Sequence, residues 1–163
     1  MTDDYGRSVS YLRLSVTDRC NLRCFYCRNK EGLQFIPHHK ILRYEEMLRL
    51  IEAVDSMGVS KVRLTGGEPF VRRDFIEFLE QAAERFPQTD FRVTTNGTYL
   101  TTHAERLQRM GMRYVNVSLD TLDPQRYAEI TGRDMFSRVW DGIHACLEAG
   151  LRDSFPFVSH RAD

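Results

Sequence analysis

Three cysteines fall within eight residues, in the run Cys20-Asn21-Leu22-Arg23-Cys24-Phe25-Tyr26-Cys27, with gaps of three and two residues. Thiolates are soft ligands, and a set this tight selects zinc, copper(I) or an iron-sulfur cluster. It is too cramped for a disulfide framework, even though the cysteine total of four is even. A structural zinc ion wants four ligands. The remaining cysteine, Cys146, lies on the apolar stripe of a distant helical segment, so His38 or His39 would have to complete a zinc site. Those two sit in a polar loop, where a solvated pair is the simpler reading. A 4Fe-4S cluster held by three cysteines would instead leave one iron open to the amino and carboxylate groups of a small molecule, which is a catalytic arrangement. Backbone amides of the loop can donate to cluster sulfides, and Arg19, Arg23 and Arg28 would offset the negative charge. Three incidental buried cysteines would be the bland alternative, and the polarity of the loop argues against it.

A second signal is Thr65-Gly66-Gly67-Glu68-Pro69. Paired glycines let the backbone approach a ligand closely, and Glu68 could receive a ligand's ammonium group. Alone this is only a turn; beside the cysteine loop it becomes part of a site.

The elements that must carry these residues recur along the chain. Tyr11 to Thr17 reads as a strand with Leu12, Leu14 and Val16 alternating, so the cysteines follow a strand's C-terminal end. Tyr44 to Met57 has apolar residues at helical spacing and stops at Gly58. Lys61 to Thr65 is a strand ended by the glycine pair, and Asp74 with Glu77 caps a helix that buries Phe75, Phe78, Leu79, Ala82 and Phe86. Phe91, Val93 and Thr95 alternate until Asn96-Gly97, and Thr102 with Glu105 has the form of a further capping box before a helix ending at Gly111. Val115, Val117 and Leu119 form a fourth strand. Asp123-Pro124 then opens a helix striped by Val139, Ile143, Cys146 and Leu147, which stops at Gly150. Asn96-Gly97 could mark a hairpin turn, but the capping signal after it favours a parallel crossover. Four strand-helix alternations imply an α/β fold with a parallel sheet, either open or a portion of a βα barrel. In both cases the chemistry sits at the strands' C-terminal ends.

Composition narrows the class. The chain has 163 residues, 42% hydrophobic and 28% charged, the balance and length of one globular domain. Lys plus Arg equals Asp plus Glu at 23 each, which gives no excess charge toward nucleic acid or a membrane surface. No apolar run suggests a membrane helix and the start is polar, so a cytoplasmic location is expected.

The cysteine spacing with the aromatic Tyr26 before the last cysteine, taken with Gly66-Gly67-Glu68-Pro69, resembles the radical S-adenosylmethionine (SAM) superfamily. Within it, Leu12 to Asn21, Arg63 to Pro69, Thr94 to Gly97, Asn116 to Asp120 and Thr131-Gly132-Arg133 are similar to the GTP 3',8-cyclase family of molybdenum cofactor biosynthesis, over about residues 5 to 151. The resemblance implies a partial (β/α) barrel, about four βα units of it here, truncated. It implies a 4Fe-4S cluster on Cys20, Cys24 and Cys27, and SAM lined by Tyr26, Gly67 and Ser118. GTP would be lined by Arg13, Arg63 and Thr94. Reductive cleavage of SAM would give a 5'-deoxyadenosyl radical that takes hydrogen from the ribose C3' of GTP, leading to 3',8-cyclo-7,8-dihydro-GTP. A low-potential electron donor is implied as a partner, and a homodimer is compatible.

The family pattern also implies a longer chain, with a second three-cysteine cluster and a fifth strand bearing a lysine. Here Phe155 stands where that lysine is expected and Pro156 argues against a central strand. The expected division is therefore a core over residues 1–151 and a divergent tail over residues 152–163. Two other functions stay open: a different radical SAM chemistry such as glycyl-radical activation of a partner, and a cluster- or zinc-binding remnant without turnover.

Overall fold

The computed structural model describes residue 6, residues 10–27 and residues 35–151. Arg28, the tail with Phe155 and Pro156, and part of the loop after the cysteines lie outside the described residues.

Four short strands form one sheet: β1 (Tyr11–Ser15), β2 (Lys61–Thr65), β3 (Asp90–Thr95) and β4 (Val115–Val117). They lie in the order β1-β2-β3-β4 and all pair in parallel. The crossovers are α1 (Tyr44–Ser56), α2 (Phe75–Arg85) and α3 (Leu100–Arg109), and β4 is followed by α4 (Pro124–Thr131) and α5 (Phe136–Glu148). Because β3 and β4 are parallel and joined through α3, Asn96-Gly97 is not a hairpin turn. Neighbouring strands that are also consecutive put every right-handed crossover on one face. A doubly wound sheet would need its order to reverse. The fold is a sector of a βα barrel.

Period-two alternation on each strand reflects this one-sided cover. Leu14, Val62, Leu64, Phe91, Val93, Val115 and Val117 are buried toward the helices, where they meet Met47 and Ile51 of α1, Leu79 of α2, Leu107 of α3 and Val139 of α5. The opposite face carries Arg13, Ser15, Arg63, Arg92, Thr94 and Asn116, all exposed or half-buried. Fully parallel sheets ordinarily have apolar residues on both faces, so a polar second face sets this sheet apart.

Four local expectations are corrected. Asp74 precedes α2 at φ 57° and makes no side-chain capping hydrogen bond, so it does not cap that helix. Helix α3 starts at Leu100, so Thr102 lies inside it and does not cap it. The segment from Asp123 is two helices rather than one: Asp123 accepts from the Arg126 amide at 2.8 Å as a cap, but Gly132, at φ 65°, closes α4 with its N–H on the Ala128 carbonyl. Leu147 is 51% exposed while Val139, Ile143 and Cys146 are buried, because Leu147 sits roughly 80° round the helix from Val139.

Candidate functional site

The cysteine loop leaves β1 and is held by the glycine turn at the end of β2. The ladder continues past β1, with the Val16 amide on the Thr65 carbonyl at 2.8 Å. Next the Gly67 amide donates to the Thr17 carbonyl and the Glu68 amide to the Arg19 carbonyl, both at 2.7 Å. A Cβ on Gly66 would stand 2.3 Å from the Thr17 oxygen, and one on Gly67 would stand 2.2 Å from the Arg19 oxygen. The glycine pair therefore makes room for the stem of the cysteine loop, where the sequence alone suggested room for a ligand.

Glu68 also differs from expectation. Its side chain is fully buried, so it does not present its carboxylate to a ligand's ammonium group. It accepts from the Thr95 hydroxyl at 2.8 Å, the Asn96 amide at 2.6 Å and the Phe70 amide at 3.2 Å. Burial outweighs these three donors and pushes its pKa up to about 7. Its role is to lock the loop after β2 to the loop after β3.

The far side of the cysteine loop rests on α4. The Arg23 amide donates to the Thr131 carbonyl at 2.8 Å and the Phe25 amide to the Ile130 carbonyl at 3.1 Å. These are carbonyls that a helix C-terminus leaves without intrahelical partners. The run Thr131-Gly132-Arg133 thus has a physical reason, since a Cβ on Gly132 would come 3.1 Å from the Arg23 Cβ. Arg23 itself closes the loop by donating to the carbonyls of Cys20 at 3.0 Å and Leu22 at 2.9 Å. Arg19 pairs with Asp18 at 3.3 Å and lies over the Phe35 ring at 4.8 Å.

Cys20, Cys24 and Cys27 line one cavity of about 320 Å³, together with Gly66, Gly67, Ser15, Thr17, Asp18 and Leu22. Cys24 is buried, Cys20 half-buried and Cys27 exposed. Burial, then the nearby Cys27, pushes the Cys24 thiol up to about 11. Bare Cys24 is therefore protonated near neutral pH, and a positive metal centre is what would draw its proton off. Among the described residues no three His, Cys, Asp or Glu side chains converge as a single metal ion would require. A cluster asks for something else, one sulfur for each of three irons around a shared cavity, and this donor set could hold it. His38 lines a different cavity with Arg72 and Tyr44, and both His38 and His39 are exposed.

Of the remaining predicted residues one lines this cavity and the others lie outside its lining, three of them on the polar sheet face. Gly67 lines the cavity directly. The Tyr26 hydroxyl donates to the Asp120 carboxylate, just beyond β4, and burial with that bond pushes its pKa far up. Ser118 is exposed at the end of β4, its amide on the Thr95 carbonyl at 2.9 Å. Arg13 and Arg63 are register partners, and Thr94 pairs with Asn116. The Arg63 Nε is buried with no hydrogen-bond partner among the described residues, and its guanidinium lies 5.7 Å from the centre of the Tyr11 ring. Arg92, next to Arg63 in register, is already neutralised by both its bonds to Asp90, at 3.0 and 2.8 Å.

Sequence reasoning passed over four residues here. Asn96, read as a turn former within the family-like run Thr94 to Gly97 and given no role, donates its side-chain amide to Asn21 Oδ1 at 2.8 Å and stands 3.7 Å from the Cys20 sulfur. Thr98 completes that network. Asp120 anchors Tyr26. Arg72 ties β1 to the loop before α1, donating to the carbonyls of Val16 at 2.6 Å and Leu42 at 2.8 Å. Two signals were available: Asn96 and Asp120 each follow a strand's C-terminal end, and each lies in a run that resembles the family.

Comparison with known proteins agrees with this geometry. The sequence profile of the Radical SAM superfamily matches residues 14–161, most of the chain. The chain belongs to the radical SAM superfamily. The GTP 3',8-cyclase of Petrotoga mobilis is 47% identical over 151 residues, 93% of this chain and 47% of that protein. That of Pelotomaculum thermopropionicum is 48% identical over 151 residues, 93% of this chain and 46% of that protein. This radical SAM chain spans about half the length of the curated relatives it matches. Among solved structures, anSMEcpe with bound AdoMet has a TM-score of 0.66 and 22% identity, covering 89% of this chain and 42% of that one. That likeness is one of fold, a radical SAM barrel sector reached at low identity.

Proposed function

We propose that this chain is the cluster- and SAM-binding part of a radical SAM lyase of the GTP 3',8-cyclase type, acting in the cytoplasm in molybdenum cofactor biosynthesis. One observation carries the reading. The polar sheet face that bears Arg13, Arg63, Thr94 and Ser118 runs through Ser15 into the cavity lined by Cys20, Cys24 and Cys27. Cluster chemistry and a polyanionic substrate would therefore share one surface. The names of the relatives at 47% and 48% identity support GTP as that substrate.

In this reading the three cysteines hold a 4Fe-4S cluster, which when bound supplies the electron that cleaves SAM, delivered by a low-potential donor. Gly67 gives SAM an open backbone edge beside the cavity, while Tyr26, held by Asp120, and Ser118 line its flank. Arg13 and Arg63 take the triphosphate, since fixed planar guanidinium groups suit phosphate oxygens, and Thr94 orients the ribose side. The apolar layer under the sheet excludes water from below. Residues 1–151 form the working core, followed by a divergent tail over residues 152–163.

The test is anaerobic reconstitution with iron and sulfide, then electron paramagnetic resonance of the reduced chain with and without SAM, followed by GTP titration. A 4Fe-4S signal that shifts with SAM, and GTP binding lost in Arg63→Met, would support the whole reading. A signal that shifts with SAM but ignores GTP would leave a radical SAM site of another specificity. No cluster at all would overturn it.

A further inference from the structure

Beyond the residues that bind, we infer that Asn96 is a positioning residue that sets the electron affinity of the site by donating its side-chain amide to the Cys20 sulfur. The inference rests on the reading that Cys20, Cys24 and Cys27 hold an iron-sulfur cluster.

The orientation of the Asn96 amide is dictated by its neighbours. Its Oδ1 accepts from the Thr98 backbone amide at 3.1 Å and from the Thr98 hydroxyl at 2.8 Å. A backbone amide can only donate, so the oxygen must face Thr98 and the NH2 must face the cysteine loop. One of its hydrogens goes to Asn21 Oδ1 at 2.8 Å, which leaves the other for Cys20 Sγ at 3.7 Å. Asn21 returns the contact by donating to the Thr98 hydroxyl at 2.9 Å, closing a ring of three side chains. The Asn96 backbone is held as firmly, through its amide on the buried Glu68 carboxylate at 2.6 Å. The Leu22 amide, at 3.4 Å, is a second donor to the same sulfur.

A ring that only braced two loops would not need an amide N–H pointed at sulfur. Donors to a ligating sulfur draw electron density from it and favour the reduced cluster, and hydrogen bonds to the sulfurs are among the main settings of cluster potential. Removing this donor should make the cluster harder to reduce. Replacing it with an anion should do so more strongly.

The experiment is a redox titration of the full chain, reconstituted anaerobically with iron and sulfide, monitored by electron paramagnetic resonance, for the native sequence, Asn96→Ala and Asn96→Asp. Iron and sulfide per chain are measured on each. Asn96→Asp keeps an acceptor for Thr98 and is expected to hold iron as the native chain does. Its reduced-to-oxidised ratio at fixed potential should fall about tenfold, ~59 mV for a one-electron couple. Asn96→Ala should fall in the same direction and by less. Full iron with an unchanged potential in both variants would overturn the inference, leaving the cluster reading intact. Loss of iron in both variants would also overturn it, because the role would then be structural. A native chain that binds no iron would bring down the cluster reading and this inference with it.

Discussion

Glu68 offers the sharpest test of how the two loops are locked. Its ordinary pKa of 4.5 applies to the unfolded chain, whereas burial in the folded chain raises it to about 7. Between those values the unfolded state has released the proton and the folded state still holds it, so stability must fall as pH rises through the window. The gap between 4.5 and about 7 amounts to about 3 kcal/mol, fully lost once pH passes the folded value. Urea unfolding of the iron-free chain at intervals from pH 5 to pH 8, compared with Glu68→Gln, isolates this contribution. Glu46, Glu77 and Glu80 have lowered pKa values, so their stabilisation is lost below the window, as pH falls. His103, lowered by burial and then by Arg106, gains stability with rising pH inside the window, and the comparison with the variant cancels it. The glutamine also sets its amide NH2 against one of three donors, the Asn96 backbone amide, which costs about 1–3 kcal/mol at every pH. The variant is thus offset from the native chain, and the native chain alone declines. Parallel profiles, or a native chain that gains stability on the variant as pH rises, would refute the reasoning: the three hydrogen bonds would then outweigh the burial.

Other substitutions separate the site from its support. Gly67→Ala places a methyl 2.2 Å from the Arg19 oxygen and breaks the bond from the Glu68 amide; iron uptake after reconstitution should be lost while far-ultraviolet circular dichroism stays near native. Gly142→Ala, on α5, meets the Gly97 oxygen at 2.8 Å and the Leu100 Cβ at 2.9 Å. It should destabilise by about 1–3 kcal/mol in urea, with iron per folded chain unchanged. Arg63→Met should weaken GTP binding about 10- to 100-fold, as loss of charge-assisted bonds would, and leave iron content as it was.

Much of the scaffold could be read directly because its signals are local. The strand from Lys61 to Thr65, the helix stop at Gly58 and the cap at Asp123 each arise from residues within a few positions of one another. The cysteine triad was legible for the same reason. What escaped depended on distant partners. Glu68 looks available until Thr95 and Asn96 are seen closing on it, and Asn96 looks like a turn former until the Cys20 sulfur stands beside it. Gly66 and Gly67 advertise a close approach without saying to what, and the answer is the backbone of Thr17 and Arg19. The break between α4 and α5 was missed because the apolar stripe resumes after Gly132 as though the helix had not stopped.

The supports of the cysteine loop have an order in time. Cys27 is made early, yet the groups that hold its loop, at Gly67 and Glu68, at Asn96 and at Ile130 and Thr131, are made long after it. At ~5–20 residues per second a ribosome needs roughly 5–20 s to pass from Cys27 to Ile130. Throughout that interval the thiols are in the nascent chain without the frame that spaces them. On the proposed reading, cluster loading is accordingly a late event in biogenesis, and any thiol oxidation or wrong-metal capture on the growing chain competes in that interval, before the frame of the loop exists.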